Sequence, residues 1–166
     1  MTPFTRKIVT VSDIPAIIEH LRNNGKTIVF TNGCFDLIHA GHVTYLSAAA
    51  ELGDVLILGL NTDASVKQIK GEKRPVIRQE QRACVVAALQ MVDYVVLFDT
   101  PDPLVLIEMV CPDVLVKGAD WPEDAIVGAD FVTARGGRVA RIDLEPGLST
   151  TSIIQRIGAV YFGADS

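Results

Sequence analysis

Short apolar runs rich in β-branched residues alternate with helix-forming segments along this chain, and this alternation limits its fold more than any other feature. Alternating strands and helices predict parallel strands joined by right-handed crossovers. We therefore expect an α/β fold, a Rossmann-like doubly wound parallel sheet of about five strands. The predicted strands are residues 26–30, 54–60, 93–98, 113–116 and 138–142. The predicted helices are residues 13–24, which Ser12 is expected to cap, 43–52, 62–68, 79–90, 103–110, 125–134 and 149–157.

Length and charge indicate one domain that does not bind nucleic acid. The chain has 166 residues, of which 49% are hydrophobic, so it is long enough for one packed core. Its net charge is −5 and it has no long basic run, whereas binding to a phosphate backbone needs a basic face. We expect a single domain over residues 1–166, with residues 1–25 as an N-terminal helical addition to a core over residues 26–157.

The sequence shows no targeting segment and no cysteine pattern for metal binding. No apolar run approaches the ~20 residues of a membrane helix, and the N-terminus lacks the apolar region of a secretory signal. Cys34, Cys84 and Cys111 are odd in number and lie far apart, which predicts free thiols. We therefore expect a cytoplasmic protein without a membrane partner.

The junction between the first predicted strand and the next helix carries the strongest chemical signal. Residues 31–42 read Thr-Asn-Gly-Cys-Phe-Asp-Leu-Ile-His-Ala-Gly-His. Gly33 lets backbone N–H groups approach a ligand, and His39 and His42 share one face of the helix start, where free N–H groups attract anions. The junction therefore predicts a phosphate site. The competing hypotheses are two surface histidines beside turn glycines, and a zinc site that lacks a third nearby ligand in the sequence.

The same residues resemble the signature of the cytidylyltransferase-like nucleotidyltransferases, Asn-Gly-Cys-Phe-Asp-x-x-His-x-Gly-His. The resemblance covers nearly all of residues 26–157 and implies a Rossmann-like fold of the nucleotidyltransferase type. Three further motifs are similar to the heptose 1-phosphate adenylyltransferase branch, in which many members are fused behind a sugar kinase; the chain resembles the stand-alone form. They are Lys-Gly-x-x-Arg-Pro at 70–75, Val-Lys-Gly-Ala-Asp-Trp at 116–121 and Gly-Leu-Ser-Thr-Thr-Ser-Ile-Ile at 147–154.

The resemblance assigns expected roles to individual residues. His39, His42 and Lys70 are the expected catalytic residues, with the histidines on the α-phosphate and Lys70 between the two substrates. Asp36 is expected to shape the signature loop or to orient a histidine. The expected nucleotide-binding residues are Asn32, Gly33, Cys34, Phe35, Gly41, Lys117, Gly118, Asp120, Ser149, Thr150 and Thr151, and the expected substrate-binding residues are Asp36, Asn61, Arg74 and Arg82.

Two of these positions, and also Trp121, keep an alternative when they are interpreted from the residues alone. Asn61 ends a predicted strand and either approaches the ligand or caps the next helix. Arg82 either reaches the phosphates or forms a surface ion pair. Trp121 either closes over the site or anchors its loop, and we favour the anchor.

The resemblance implies transfer of AMP from ATP to D-glycero-D-manno-heptose 1-phosphate, with Mg²⁺ as cofactor, giving ADP-heptose for lipopolysaccharide core synthesis. The implied partners are ATP and a sugar phosphate, and the expected assembly is a homo-oligomer, with a dimer favoured. The alternatives are a glycerol-3-phosphate cytidylyltransferase-like enzyme, a GTP-using heptose phosphate enzyme and a non-catalytic nucleotide-binding module. Cytidylyltransferases of that kind commonly carry an arginine shortly before the Ser-Thr-Thr run, where this chain has residues 143–146, Asp-Leu-Glu-Pro.

Overall fold

The computed structural model describes residues 3–122, 125–145 and 147–163. Within these residues one parallel sheet has six strands in the order β1-β4-β3-β2-β5-β6. The strands are β1 (Ile8–Val9), β2 (Ile28–Gly33), β3 (Val55–Asn61), β4 (Tyr94–Phe98), β5 (Val114–Gly118) and β6 (Arg138–Ile142). The helices are α1 (Ile14–Asn23), α2 (Ala40–Ala50), α3 (Asp63–Lys70), α4 (Gln79–Ala88), α5 (Leu104–Val110), α6 (Ala129–Ala134) and α7 (Thr150–Phe162).

The predicted α/β fold is confirmed, and the N-terminal segment contributes one strand more than expected. Ile8 and Val9 pair with Val95 and Val96 at the edge of the sheet. A strand of two residues is too short to produce a period-2 pattern, which is why the sequence did not indicate it.

The first helix does not have the predicted cap. A short 3-10 turn over residues 11–13 precedes α1, and Asp13 Oδ2 accepts hydrogen bonds from the backbone N–H and hydroxyl of Thr10. The Ser12 hydroxyl only bonds the Thr10 hydroxyl, so the prediction that Ser12 caps the helix is wrong.

Both faces of the sheet are covered by helices, as a doubly wound fold requires. On one face, Leu46 of α2 and Val86 of α4 belong to a buried cluster with alternate residues of β3. On the other face, Ile14 of α1 and Ile107 of α5 pack against the remaining strand residues. All residues of β3 are buried, which explains its continuous run of apolar residues. None of the described helices is long and apolar enough to cross a membrane, and the expected cytoplasmic location stays a prediction.

The sheet order changes direction at β2. The chain moves outward from β2 to β3 and β4 and then returns to place β5 on the other side of β2. In open α/β sheets a crevice opens beyond the carboxyl ends of the strands where the order reverses, and ligands bind there. The functional residues are therefore expected around the ends of β2 and β5.

Candidate active site

A cleft of about 480 Å³ lies at this reversal point, beyond the carboxyl ends of β2, β3 and β5. All the site residues predicted from the sequence line it except Arg82. The fold therefore gathers the loop after β2, the end of α3 and the start of α7, which are far apart in sequence. Their chemical roles stay predictions, because shared position alone does not assign a role.

The loop between β2 and α2 turns sharply before the two histidines. Phe35 and Leu37 have φ of 44° and 50°, so two non-glycine residues adopt the left-handed region on either side of Asp36. Each such residue costs roughly 1–2 kcal/mol and persists only where the surrounding contacts hold it. The turn delivers His39 to the N-cap position of α2, so that both histidines face the cleft.

The two histidine rings lie against each other at an interplanar angle of 31°. Their ring centroids lie 3.9 Å apart, and His42 Nδ1 accepts a hydrogen bond of 3.4 Å from the backbone N–H of His39. A neutral His42 therefore carries its proton on Nε2, where it can donate to a ligand. Burial, together with repulsion from His39, lowers the pKa of His42 to about 4 against the weaker pull of Asp36. Burial also lowers the pKa of His39.

The low pKa of His42 predicts a loss of stability in mild acid. Between pH 6.5 and about 4 the unfolded chain binds more protons at this residue than the folded protein, so the free energy of unfolding falls as the pH is lowered through that window. We expect the His42→Asn variant, whose side-chain oxygen still accepts from His39, to lose less stability over the same window. Urea midpoints of both proteins at pH 7 and pH 4.5 measure this; equal losses in the two proteins contradict it.

Asp36 connects three parts of the cleft and is only 1% exposed. Its Oδ2 accepts from Arg74 Nε at 2.8 Å and from Val76 N–H at 2.8 Å, and its Oδ1 accepts from Ile77 N–H at 3.0 Å. Its backbone carbonyl accepts from the Thr150 hydroxyl at 2.6 Å. Burial works to raise the pKa of Asp36, but these N–H donors and the Arg74 charge outweigh it and lower the pKa. Asp36 thus ties the signature loop to residues 74–77 and to Thr150, and its side chain is 0% exposed, which leaves no face of the carboxylate for the predicted contact with a substrate.

Arg82 lies beneath the cleft and corrects both expectations for this residue. It is 1% exposed, so it is neither a surface ion pair nor placed against a ligand in the cleft. Its guanidinium donates to the carbonyls of Cys34, Asn61 and Ile77 and pairs with Asp63 at 2.8 Å. It therefore fastens the signature loop to both ends of the segment between β3 and α4.

Lys117 places a positive charge at the end of β5, beside β2. Its ammonium group donates to the Asn32 side chain, which brings together two residues that were predicted to bind nucleotide. Burial lowers the pKa of Lys117 to about 8, against a weaker opposing effect of Asp102. A lysine with this pKa is mostly charged at pH 7 and suits an anionic ligand.

Asn61 does not cap the next helix, and Trp121 is not buried in its loop. The Asn61 amide donates to the Ser65 hydroxyl at 2.8 Å, but the side chain that caps α3 is that of Thr62, which accepts from Ser65 N–H. Asn61 lines the cleft. Trp121 also lines the cleft and is 51% exposed, so it does not anchor its loop by burial as we favoured.

The cleft walls also contain a set of mainly apolar residues that were not predicted as site residues from the sequence. Pro101 and Pro103 lie in the loop after β4, and Leu144 and Glu145 lie in the loop after β6. The rule that ligands lie beyond strand ends could have indicated these four residues. Tyr45 instead lies on α2, where its hydroxyl bonds that of Thr31 at 2.7 Å and burial raises its pKa to about 12. The missed residues are Tyr45, Ile69, Pro101, Pro103, Ile126, Val127, Leu144, Glu145 and Leu148.

Curated relatives match most of this chain. The chain is 52% identical over 154 residues to the Bifunctional protein HldE of Syntrophotalea carbinolica, which covers 93% of this chain and 31% of that protein. It is 60% identical over 135 residues to the protein of the same name from Magnetococcus marinus, covering 81% of this chain and 28% of that protein. The chain thus spans about a third of the length of the curated relatives that it matches.

Solved structures share the fold. The lipopolysaccharide core biosynthesis protein of Thermoplasma volcanium superposes with a TM-score of 0.60 and 26% identity, over 73% of this chain and 98% of that chain. A pantoate-beta-alanine ligase from Francisella tularensis, at 15% identity, has a TM-score of 0.60 over 90% of this chain and 72% of that chain, which shows the fold alone. The Cytidylyltransferase-like family model matches residues 30–156. The predicted membership is confirmed, and this chain belongs to the cytidylyltransferase-like family.

Proposed function

We propose that this chain transfers AMP from ATP to D-glycero-D-manno-heptose 1-phosphate, releasing pyrophosphate and forming ADP-heptose for lipopolysaccharide core or related glycan synthesis. The observation that carries the proposal is the meeting of the His39–His42 pair, the start of α7 and Lys70 in one cleft. The high identity to proteins named HldE and the fold shared with a lipopolysaccharide core biosynthesis protein support the glycan context.

The reaction proposed is an in-line displacement. A phosphate oxygen of the sugar phosphate attacks the α-phosphorus of ATP, the bond from that phosphorus to the β-phosphate oxygen breaks, and pyrophosphate leaves. The attacking oxygen is already anionic, so no general base is needed and catalysis consists of positioning and charge stabilisation. His42 would donate Nε2–H to the α-phosphate, and Lys70, at the end of α3, would lie between the substrates.

The start of α7 is the proposed site for the leaving pyrophosphate. Ser149 caps the helix by accepting from Ser152 N–H, while the other N–H groups of the first turn have no partner within a helix. The Thr150 hydroxyl already donates its one proton to Asp36, so Thr150 would hold a phosphate through its backbone N–H. Thr151 lies beside it on the cleft wall.

Mg²⁺ is proposed to enter with ATP rather than to occupy a protein cage. No group of three or more possible ligands is found among the residues that the structure describes, and the Asp36 carboxylate already accepts three hydrogen bonds. A cleft with few available carboxylates fits a cation that is held mainly by phosphate oxygens and water, as Mg²⁺ commonly is. Bound there, it would neutralise charge on the leaving pyrophosphate. Asp120 and Glu145 are the carboxylates on the cleft wall that could bind its water shell.

The proposed reaction predicts pyrophosphate release only from the right substrate pair. The protein is incubated with Mg²⁺, heptose 1-phosphate or glycerol 3-phosphate, and ATP, GTP or CTP in turn, and pyrophosphate is measured. We expect release with ATP and heptose 1-phosphate. Release only with GTP or only with CTP and glycerol 3-phosphate would keep the mechanism and change the substrates. No release from any pair, while ATP still binds, would favour a non-catalytic nucleotide-binding module.

A homodimer through α7 is the proposed assembly. None of the described residues of α7 is buried, and Ile157, Val160 and Tyr161 are 43, 62 and 76% exposed. Such apolar faces mark interaction surfaces, and a second copy offers the same self-complementary face. We expect light scattering to give twice the chain mass for the wild type and the chain mass for Tyr161→Lys. Val105→Lys, a change at a 65% exposed position on α5, should stay dimeric. A monomeric wild type contradicts the proposal.

A further inference from the structure

Asp36 joins two walls of the cleft that come from distant parts of the chain. One wall is the arm of residues 70–77, with Lys70 and Arg74, and the other is the start of α7, with Thr150. We propose that Asp36 is a positioning residue that couples these walls, so that a nucleotide bound at the start of α7 orders the 70–77 arm for the second substrate. The inference rests on the proposed function only in requiring that a nucleotide occupies the cleft.

The bonds of Asp36 reach both walls at once. Its carboxylate holds the arm through Arg74, Val76 and Ile77, two of these bonds being to backbone N–H groups. Its carbonyl holds Thr150 on the far side. A single buried residue thus fixes three chain segments: the signature loop, the arm and the start of α7. Two of the three bonds to the arm come from its backbone and the third comes from Arg74, so a change in order on one wall can be passed to the other through Asp36.

The backbone around Asp36 indicates that these bonds hold the loop in an unfavourable conformation. Phe35 and Leu37 both have positive φ, and neither is a residue type that adopts this region readily. Such a conformation persists only where several surrounding contacts hold it, and it is typical of functional loops. The loop leads directly to His39, so the bonds that hold Asp36 also hold the histidine pair in place.

The coupling follows from the conformational entropy that the arm loses when it becomes ordered. A nucleotide that fixes the start of α7 also fixes the Asp36 carbonyl, and through the carboxylate it reduces the freedom of the arm. A second ligand that needs the arm ordered then loses less conformational entropy when it binds. Coupling of this kind between two sites commonly changes affinity by ~5–150-fold. Arg82 provides the contrast, because it holds the same arm only at Ile77, and none of its bonds among the described residues reaches α7.

The test measures amide exchange by NMR with one ligand only, α,β-methylene ATP, which cannot transfer AMP. In the wild type we expect the ligand to slow exchange of the Val76 and Ile77 amides about tenfold, within the range usual for coupled sites. In Asp36→Asn, which loses the carboxylate charge with little change of shape, we expect the ligand to bind and these two amides to be unaffected. Asp63→Asn makes the same change in the neighbouring Arg82 pair and should retain the protection.

A second variant covers the case in which Asp36→Asn does not fold, which its melting curve reveals. Thr150→Val removes only the hydroxyl bond to the Asp36 carbonyl, and it should likewise abolish the ligand-dependent protection of the arm. Retained protection in either folded variant overturns the coupling, as does a wild type in which the ligand protects α7 but not the arm. Protection of the arm without pyrophosphate release from any substrate pair supports the coupling and rejects the proposed reaction. A ligand without effect anywhere overturns both.

Discussion

Replacement of His42 by alanine is expected to lower kcat for pyrophosphate release by roughly 10²–10³-fold, the usual loss when one donor to a developing charge is removed. His42 lines the cleft with a pKa lowered to about 4, and its Nδ1 accepts a bond from His39, which leaves Nε2–H as its donor; its contribution is therefore expected to grow as negative charge builds on the α-phosphate. The KM for ATP should change far less, because a neutral donor contributes little to ground-state binding. Steady-state kinetics at pH 7.5 measure both constants.

His20 provides the control for this experiment. It is the one histidine outside the cleft and is exposed on α1, so His20→Ala should leave both kinetic constants unchanged. A His42→Ala enzyme that keeps its kcat and loses only affinity for ATP would show that the residue binds the ground state. The mechanism would then have to place charge stabilisation on His39 or Lys117.

Replacement of Arg82 by methionine is expected to lower the free energy of unfolding by about 3 kcal/mol, the low end for loss of one partner from a buried ion pair, because Arg82 is buried while Asp63 is 32% exposed. Methionine fills much of the space but leaves Asp63 and the carbonyls of Cys34 and Asn61 without their donor. Denaturant titration followed by circular dichroism measures the change.

Arg138→Met is the control for this second experiment, because Arg138 is exposed on the edge strand β6, where a substitution usually shifts stability by less than ~0.5 kcal/mol. An Arg82→Met protein as stable as the wild type would show that the hydrogen bonds of the guanidinium do not contribute to the stability of the fold. Its role would then have to be sought in ligand binding, which its burial opposes.

The sequence predicted well those features that depend on local patterns. Four of the five predicted strands were located within three residues of their observed ends and the fifth, β6, at its observed bounds, because apolar runs between turn residues are a local signal. All the predicted site residues except Arg82 line one cleft, because strand ends and helix starts converge in a parallel sheet.

Features that depend on tertiary contacts were not predictable in the same way. The direction of the Arg82 side chain is decided by Asp63 and by the carbonyls of Cys34 and Asn61, which are distant in sequence, so a pattern of charges on α4 gives no information about it. β1 forms only because β4 offers an edge to pair with. The helix predicted from residue 125 begins at Ala129, because Gly128 has φ of 84° and leaves the helical region.

The position of β2 in the sheet has a consequence for how the protein is made. As the chain leaves the ribosome, β2, β3 and β4 can pair once Phe98 has emerged, but one side of β2 stays open until Val114–Gly118 follow. An uncovered strand edge of this kind is open to pairing with other chains. The start of α7 is synthesised after all six strands, so a truncation before Thr150 would leave the sheet intact and the cleft without one wall.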